Sequence, residues 1–191
     1  MDHILLLAVI GVVLFIVYIW YAGIIAKKNK ALEALSGIDV QLKKRNNLIP
    51  NILKIAARFM NHEKELMEKI TKLRTKVSDG YNADDAQSIK KHLQDARELD
   101  SSLGELMISV EDYPDLKSDQ TMIVAQQTYN EVEEQISAAR RFYNSAVTAL
   151  NNSIEIFPGN LIAPLAKAKT LPFYKADEAS KAPVDANDFL N

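Results

Sequence analysis

The sequence predicts an all-α protein in which an N-terminal transmembrane helix continues into a long antiparallel, up-and-down helical bundle. Residues 4–26 form a run without a single charge, which begins at Ile4 and ends at Ala26. Apolar side chains then recur at alternating spacings of three and four residues along most of the chain, as they do in the seam of a helical bundle. Glycine and proline are scarce, with six of each, which favours long uninterrupted helices.

The uncharged run is long enough for a transmembrane helix, since about 20 apolar residues cross the hydrocarbon core of a bilayer. Its second half carries Trp20, an amphipathic ring of the kind that settles at a membrane interface. The N-terminal flank lacks the basic residues of a cleaved signal peptide, so we expect an uncleaved anchor over residues 1–26. Lysines follow the run and none precedes it. The positive-inside rule therefore predicts a single-pass protein with its N-terminus outside and its C-terminal domain in the cytoplasm.

Three apolar stripes predict three long helices in a bundle domain over residues 27–160. The first stripe runs from Leu35 to Val77, the second from Ala86 to Val110, and the third from Met122 to Leu150. Turn signals separate them, and short connections between long helices indicate antiparallel neighbours. Residues 161–191 form a tail whose first part is predicted to contact the membrane or a partner, or to pack as a strap on the bundle end. Residues 176–191 are polar and are expected to be poorly ordered.

Pro50 leaves two arrangements open. Proline removes a hydrogen bond from a helix, yet the first stripe keeps its phase across Pro50, which favours one long kinked helix that continues from the span. In that arrangement the tail leaves the bundle far from the membrane. An apolar face between Leu32 and Ile49 would then stand uncovered, and self-association is the simplest way to bury it. A reversal at Pro50 would instead give four shorter helices and a tail near the bilayer.

Composition argues against several functional classes. The net charge is −2, so no basic field indicates a nucleic-acid partner. The chain has no cysteine, which excludes disulfides and thiolate chemistry. It also lacks a phosphate-binding glycine loop and a Gly-x-Ser-x-Gly nucleophile motif. We therefore expect a protein that is not an enzyme and that holds no cofactor.

Carboxylates near the predicted seam raise the possibility of a metal site. Counting from the turns places Glu63 and Asp100 at one height, with Glu131 and Glu134 on the third helix nearby. Carboxylates inside a helical bundle bind metal in di-iron proteins, but those sites also need Glu-x-x-His pairs, and none occurs here. A structural role is therefore favoured, and a ligand- or metal-binding sensor is the alternative.

Arg45 interrupts the first apolar stripe together with the neighbouring Lys43 and Lys44. In the kinked-helix arrangement these residues lie more than a Debye length from the membrane surface, too far for strong attraction to headgroups. We therefore expect Arg45 to contact the acidic turn that carries Glu111, Asp112, Asp115 and Asp119.

Several runs of residues are similar to those of the LemA family. They are residues 38–51 with His62 and Glu63, the Tyr113-Pro114-Asp115-Leu116-Lys117 turn, the Arg140-Arg141-Phe142-Tyr143-Asn144 run, and the Phe157-Pro158-Gly159-Asn160-Leu161-Ile162-Ala163 run. The chain departs from the family pattern at Leu150-Asn151 and after Ala163. The resemblance implies a helical bundle anchored in a bacterial cytoplasmic membrane, and it supplies no reaction, substrate or cofactor.

The leading hypothesis is a self-associating membrane scaffold that contacts the bilayer through residues 4–26 and recruits protein partners that the sequence does not identify. The residues expected to hold its structure or interactions together are Arg45, Pro50, His62, Glu63, Tyr113, Pro114, Arg140, Tyr143, Asn144, Phe157 and Pro158.

Overall fold

The structure, a computed structural model, describes residues 2–175. Regular structure in this part of the chain is helical throughout, which confirms the all-α prediction and the continuity of the apolar N-terminal helix with the bundle. The helices are α1 (Asp2–Ala56), α2 (Lys64–Ser78), α3 (Ala86–Ser109), α4 (Pro114–Lys117), α5 (Gln120–Glu155) and α6 (Gly159–Ile162), with a short 3-10 turn at Val110–Asp112.

The long helices α1, α2, α3 and α5 run alternately away from and back toward the N-terminal end of α1. The end of α2 returns to the middle of α1, where Arg74 Nε donates to the carbonyl oxygen of Asn46 at 2.9 Å. The helix α5 then descends along α1, against which it packs most extensively, while α2 packs mainly on α3. The result is an up-down-up-down bundle of four long helices.

The chain reverses after Ala56, which corrects the prediction of three long helices. Pro50 lies inside α1 with its ring exposed, so the helix passes through Pro50 as predicted and does not reverse there. It ends at Ala56, fewer than two turns later, where the amides of Phe59 and Met60 donate to the carbonyl oxygen of Ala56. Met60 is buried in the core, so apolar residues continue in the stripe across the loop.

Two further expectations change with this reversal. The apolar face of α1 between Leu32 and Ile49 is not an uncovered stalk, because Leu35, Ile38, Leu42 and Ile49 are all buried in the core of the bundle. The end of α5 does not lie far from the N-terminal helix. Its Ile154 packs in a second apolar cluster around Ile24 of α1.

The N-terminal part of α1 is long and apolar enough to cross a membrane, by length and composition. Its most apolar window has a mean hydropathy of 2.8 and buries none of its residues in the rest of the protein. The second apolar cluster marks where this segment meets the bundle, which we call the base. There Ile162, Ala163 and Ala166 pack against Ile24, with Trp20 alongside.

Candidate functional site: a buried charge layer and the strap beside it

Four charged side chains from three helices meet near the middle of the bundle, and we call them the charge layer. They are Arg45 of α1, Asp100 of α3, and Glu133 and Arg140 of α5. Arg45 Nη1 lies 3.1 Å from both Asp100 Oδ1 and Glu133 Oε1. Arg140 Nη2 lies 3.6 Å from Asp100 Oδ2. Two guanidinium groups therefore face two carboxyl groups inside the bundle.

Arg45 is the most completely buried member, with no exposed side-chain surface. Its Nη2 donates to the carbonyl oxygen of Ala96 at 3.0 Å, so the guanidinium binds both backbone and carboxylates. Burial by itself would lower the pKa of Arg45, but Glu133 and Asp100 oppose this effect and the pKa is raised overall. Arg45 thus remains a permanent positive charge in the core.

Glu133 is the member of the layer that titrates near neutral pH. Burial raises its pKa, the nearby Asp100 carboxylate raises it further, and Arg45 opposes both, which leaves the pKa at about 7. A carboxyl group normally ionises well below this value because water solvates its charge. Glu133 consequently changes its charge within the physiological pH range.

Residues 163–175, which we call the strap, run back from α6 along the bundle. Tyr174 is almost fully buried, and the guanidinium of Arg140 lies 4.4 Å from the centre of its ring, a cation–π contact. The strap therefore covers one side of the charge layer. The sequence left two roles open for the first part of the tail, a membrane or partner contact and a strap packed on the bundle. Residues 163–175 pack on the bundle.

Two asparagines of α5 hold the strap through paired hydrogen bonds. Asn144 Nδ2 donates to the carbonyl oxygen of Tyr174 at 2.9 Å, and the Tyr174 amide donates to Asn144 Oδ1 at 2.8 Å. Asn151 makes the same pair with Leu171, at 3.0 Å in both directions. Seven helical residues and three extended residues both span about 10 Å, so the two spacings match.

Tyr143 adds a third attachment and explains much of the Arg140-to-Asn144 run. Its ring is fully buried, and its hydroxyl donates to the carbonyl oxygen of Pro172 at 2.8 Å. Within this run, Arg140, Tyr143 and Asn144 all contact the strap. Their physical role in this structure is to dock the C-terminal segment.

A second polar cluster lies between α1 and the α2–α3 turn, nearer the base. Tyr81 Oη donates to Asp39 Oδ2 at 2.7 Å, and His92 Nε2 lies 3.1 Å from Asp39 Oδ1. The Tyr81 and His92 rings stack with their centres 4.1 Å apart. They line a cleft of about 410 Å³ whose wall also carries Arg74. The cleft has walls of both charge signs, and Asp39, one of its two acids, is already bonded to two neighbours.

The carboxylates proposed as a metal layer are not brought together. Glu63 lies at the loop after α1, where it accepts a hydrogen bond from the Tyr113 hydroxyl at 2.8 Å, whereas Asp100 pairs with Arg45. Glu131 and Glu134 are exposed on α5. Within the described residues, no three His, Asp or Glu side chains are grouped as metal ligands would be.

The predicted contact of Arg45 with the acidic turn is also wrong. Because α1 reverses only after Ala56, the turn packs at the far end of the bundle, about 20 Å further along α1 than Arg45. Asp119 there caps α5, accepting from the amides of Thr121 and Met122. Arg45 does pair with acids, but they belong to α3 and α5.

Glu133 and Asp39 were not anticipated from the sequence. Glu133 flanks the apolar stripe of α5 and does not interrupt it, so the stripe does not indicate a buried charge at this position. Its one available signal is spacing, since Glu133 and Arg140 are a heptad apart and therefore share a helix face. Asp39 likewise flanks the apolar stripe of its helix, next to the buried Ile38, and does not interrupt it.

The other residues singled out from the sequence lie in the connections between helices or at a helix start. His62 is exposed in the loop between α1 and α2, and Pro114 is the first residue of α4. Phe157 and Pro158 form the connection from α5 to α6, with Phe157 72% exposed.

Together the fold and the charge layer define a four-helix bundle protein whose first helix extends far beyond the bundle as a segment apolar enough to cross a membrane. Comparison with known families places it further. The LemA family profile matches residues 34–187, which is most of the chain. The protein belongs to the LemA family.

Individual relatives agree with this assignment. Protein LemA of Metamycoplasma hominis is 27% identical over 180 residues, which cover 92% of this chain and 80% of the relative. Magnetosome proteins MamQ 2 and MamQ 1 of Paramagnetospirillum magneticum are each 22% identical over 205 residues, covering 94% of this chain and 74% of theirs.

Replacing Arg45 by methionine should lower the free energy of unfolding by about 3 kcal/mol, because Glu133 would lose its cation and Asp100 would keep only Arg140. Urea unfolding of the full chain in detergent, followed by circular dichroism at 222 nm, measures the change. Arg141→Met is the matched control, since Arg141 is exposed and, among the described residues, bonds only Ser137. An equal loss in the two variants would contradict the role of the layer.

The stability of the bundle should fall as pH rises from about 5 to about 8. The folded state holds a proton on Glu133 up to a pKa of about 7, while the unfolded chain loses it near the ordinary value of 4.5. The folded state thus binds more protons in this window, so raising the pH favours unfolding, by at most about 3 kcal/mol.

Glu133→Gln should flatten this dependence, since glutamine keeps an oxygen for Arg45 and does not ionise. Urea unfolding at several pH values measures the slope. The exposed Glu134→Gln serves as control. A slope in Glu133→Gln as steep as in the parent protein would assign the pH dependence to another group.

Asn144→Leu should loosen the strap without unfolding the bundle, because it removes both hydrogen bonds to Tyr174. Amide hydrogen exchange at residues 171–175 should accelerate while exchange in α3 stays slow. Asn152→Leu, on the exposed face of the same helix, should leave the strap protected. Unchanged exchange in Asn144→Leu would show that the side-chain pair does not hold the strap.

Proposed function

We propose that this protein is a non-enzymatic scaffold of the LemA type, tethered in a bacterial cytoplasmic membrane by residues 4–26 and self-associating there. The observation that carries the proposal is the continuity of α1, a 55-residue helix that extends from the apolar segment into the core of the bundle. A flexible linker would let a domain tumble above the bilayer, whereas a continuous helix fixes its orientation and height. Fixed presentation of a surface is what a scaffold requires.

The chemistry of the charge layer supports a structural role. Arg45 and Arg140 neutralise Asp100 and Glu133 at close range, so the carboxylates are already paired. Buried polar groups in helical bundles fix register and partner choice, often with little net gain in stability. These contacts favour an internal determinant of the fold over an acid–base pair waiting for a substrate.

The distribution of lysines supports an orientation with the bundle in the cytoplasm. Lys27, Lys28 and Lys30 follow the apolar segment directly, and basic residues near the end of a span are retained on the cytoplasmic side. The N-terminus would then lie outside.

Self-association now rests on the apolar segment of α1, since the stripe between Leu32 and Ile49 is covered within the chain. The helix α6 covers the face of α1 that carries Ile24. Ala22 and Ala26 are exposed and lie on the opposite face of α1. Small residues four apart let two membrane helices approach closely. This face is the proposed contact between copies.

Oxidative cross-linking in membranes tests the proposal, and the absence of native cysteine makes single-cysteine variants of the full chain straightforward. Ala22→Cys should give a cross-linked dimer. Val13→Cys is the control, because Val13 lies about three helical turns before Ile24 on the same face as Ile24, opposite Ala22, and should cross-link much less. Equal yields at both positions, or none at Ala22, would remove the support for a defined assembly.

A further inference from the structure

An apolar surface remains exposed at the base of the bundle, and we call it the basal patch. It consists of four side chains around α6 that are between 59% and 72% exposed: Ile156, Phe157, Leu161 and Leu165. The opposite side of the same segment is buried, since Ile162, Ala163 and Ala166 pack on Ile24. Large apolar side chains this exposed and this close together indicate a contact surface.

The position of the basal patch identifies what it contacts. The cluster that anchors α6 to α1 includes Val17 and Trp20 as well as Ile24, and all three belong to the uncharged run of residues 4–26. Val17 lies about 15 Å along the helix from Lys27. The patch therefore flanks the apolar segment itself, at the depth of a bilayer interface if that segment crosses a membrane.

Lysines lie beside the patch on the side of the bundle. Lys28, Lys167 and Lys169 line one small cavity between α1, the strap and the α2–α3 turn, where they outnumber the single acid Asp84. Apolar side chains next to a band of lysines form the pattern of a segment that lies in a membrane interface and attracts anionic headgroups. Lysine stems also extend toward the interface while their charges stay in water.

The sequence holds α6 in this position through a close approach that requires glycine. A side chain at Gly159 would collide with the backbone carbonyl oxygen of Ser153 near the end of α5. The absence of a Cβ lets the chain turn back tightly, so that α6 lies against the end of α5 and against α1. Leu161 and Leu165 then face away from the protein.

We propose that the basal patch is a second membrane contact, in which Ile156, Phe157, Leu161 and Leu165 insert into the interface of the leaflet that adjoins the bundle. The occupant is an anionic phospholipid bilayer, whose phosphates meet Lys28, Lys167 and Lys169. The inference rests on the proposed membrane tether and adds a second attachment to it. Two attachments side by side restrain the bundle from rotating about the axis of α1.

Spin labels on single cysteines in the full chain test this, after reconstitution into vesicles that contain phosphatidylglycerol. Labels at Leu161→Cys and Leu165→Cys should be accessible to dissolved oxygen and protected from a water-soluble nickel chelate. Ile108→Cys is the matched control: Ile108 is 74% exposed, lies at the far end of the bundle, and should show the reverse accessibility.

A label at Leu14→Cys separates this inference from the tether on which it rests. If Leu14 is in lipid while Leu161 and Leu165 are as accessible to nickel as Ile108, the second contact is refuted and the tether stands. If Leu14 itself is in water, the tether fails. Protection of Leu161 from both reagents would mean that protein covers the patch, which also overturns the proposal.

The lysines provide an independent arm. In the labelled Leu161→Cys chain, the added double change Lys167→Gln/Lys169→Gln should raise the nickel accessibility of the label in phosphatidylglycerol vesicles at least twofold. The labelled chain with both lysines intact should show the same rise in purely zwitterionic vesicles. If neither change is seen, the anionic headgroups have no part in the contact.

Discussion

The guanidinium of Arg45 places a permanent charge inside a thin helical core, and the neighbouring elements are arranged around it. Asp100 and the Ala96 carbonyl supply acceptors from α3, Glu133 supplies one from α5, and Arg140 completes the balance. Sliding any of these helices by one turn would move its partner about 5 Å and leave the charge unpaired. The cost of an unpaired buried charge is several kcal/mol, so the layer selects one register among many apolar packings.

The charge layer is linked physically to the base through α5 and the strap. Arg140 contacts Asp100 on one side and the Tyr174 ring on the other, and Tyr174 ends a segment that begins at α6. Asn144 and Asn151 fix the path between the two. The titration of Glu133 near neutral pH therefore occurs within one connected set of contacts that reaches the base of the bundle.

The sequence predicted the apolar segment, the helical class, the stripes of α3 and α5, and the two polar residues Arg45 and Asp100 that interrupt the seam. It did not reveal the reversal after Ala56, because residues 57–63 contain neither glycine nor proline. Phe59 and Leu66 remain in phase with the stripe and still pack on the core. That single error carried others with it: it brought the acidic turn to Arg45, exposed the face of α1, and sent the tail away from the membrane. Glu133 was not predicted as a buried charge because it lies beside the apolar stripe of α5 and does not interrupt it.

The different lengths of the helices explain why the C-terminal segment belongs to the fold. The hairpin of α2 and α3 turns back near Leu32, as the cavity shared by Leu32, Ala83 and Asp84 shows, so it leaves the lower parts of α1 and α5 uncovered by α2 and α3. The strap and α6 cover that region. They fit there because their inward residues are small: Ala163, Ala166 and Ala168 are all buried, which allows the turns after α6 to lie close to α1. The departure from the family pattern after Ala163 thus falls in a segment where close packing on α1 limits side-chain size.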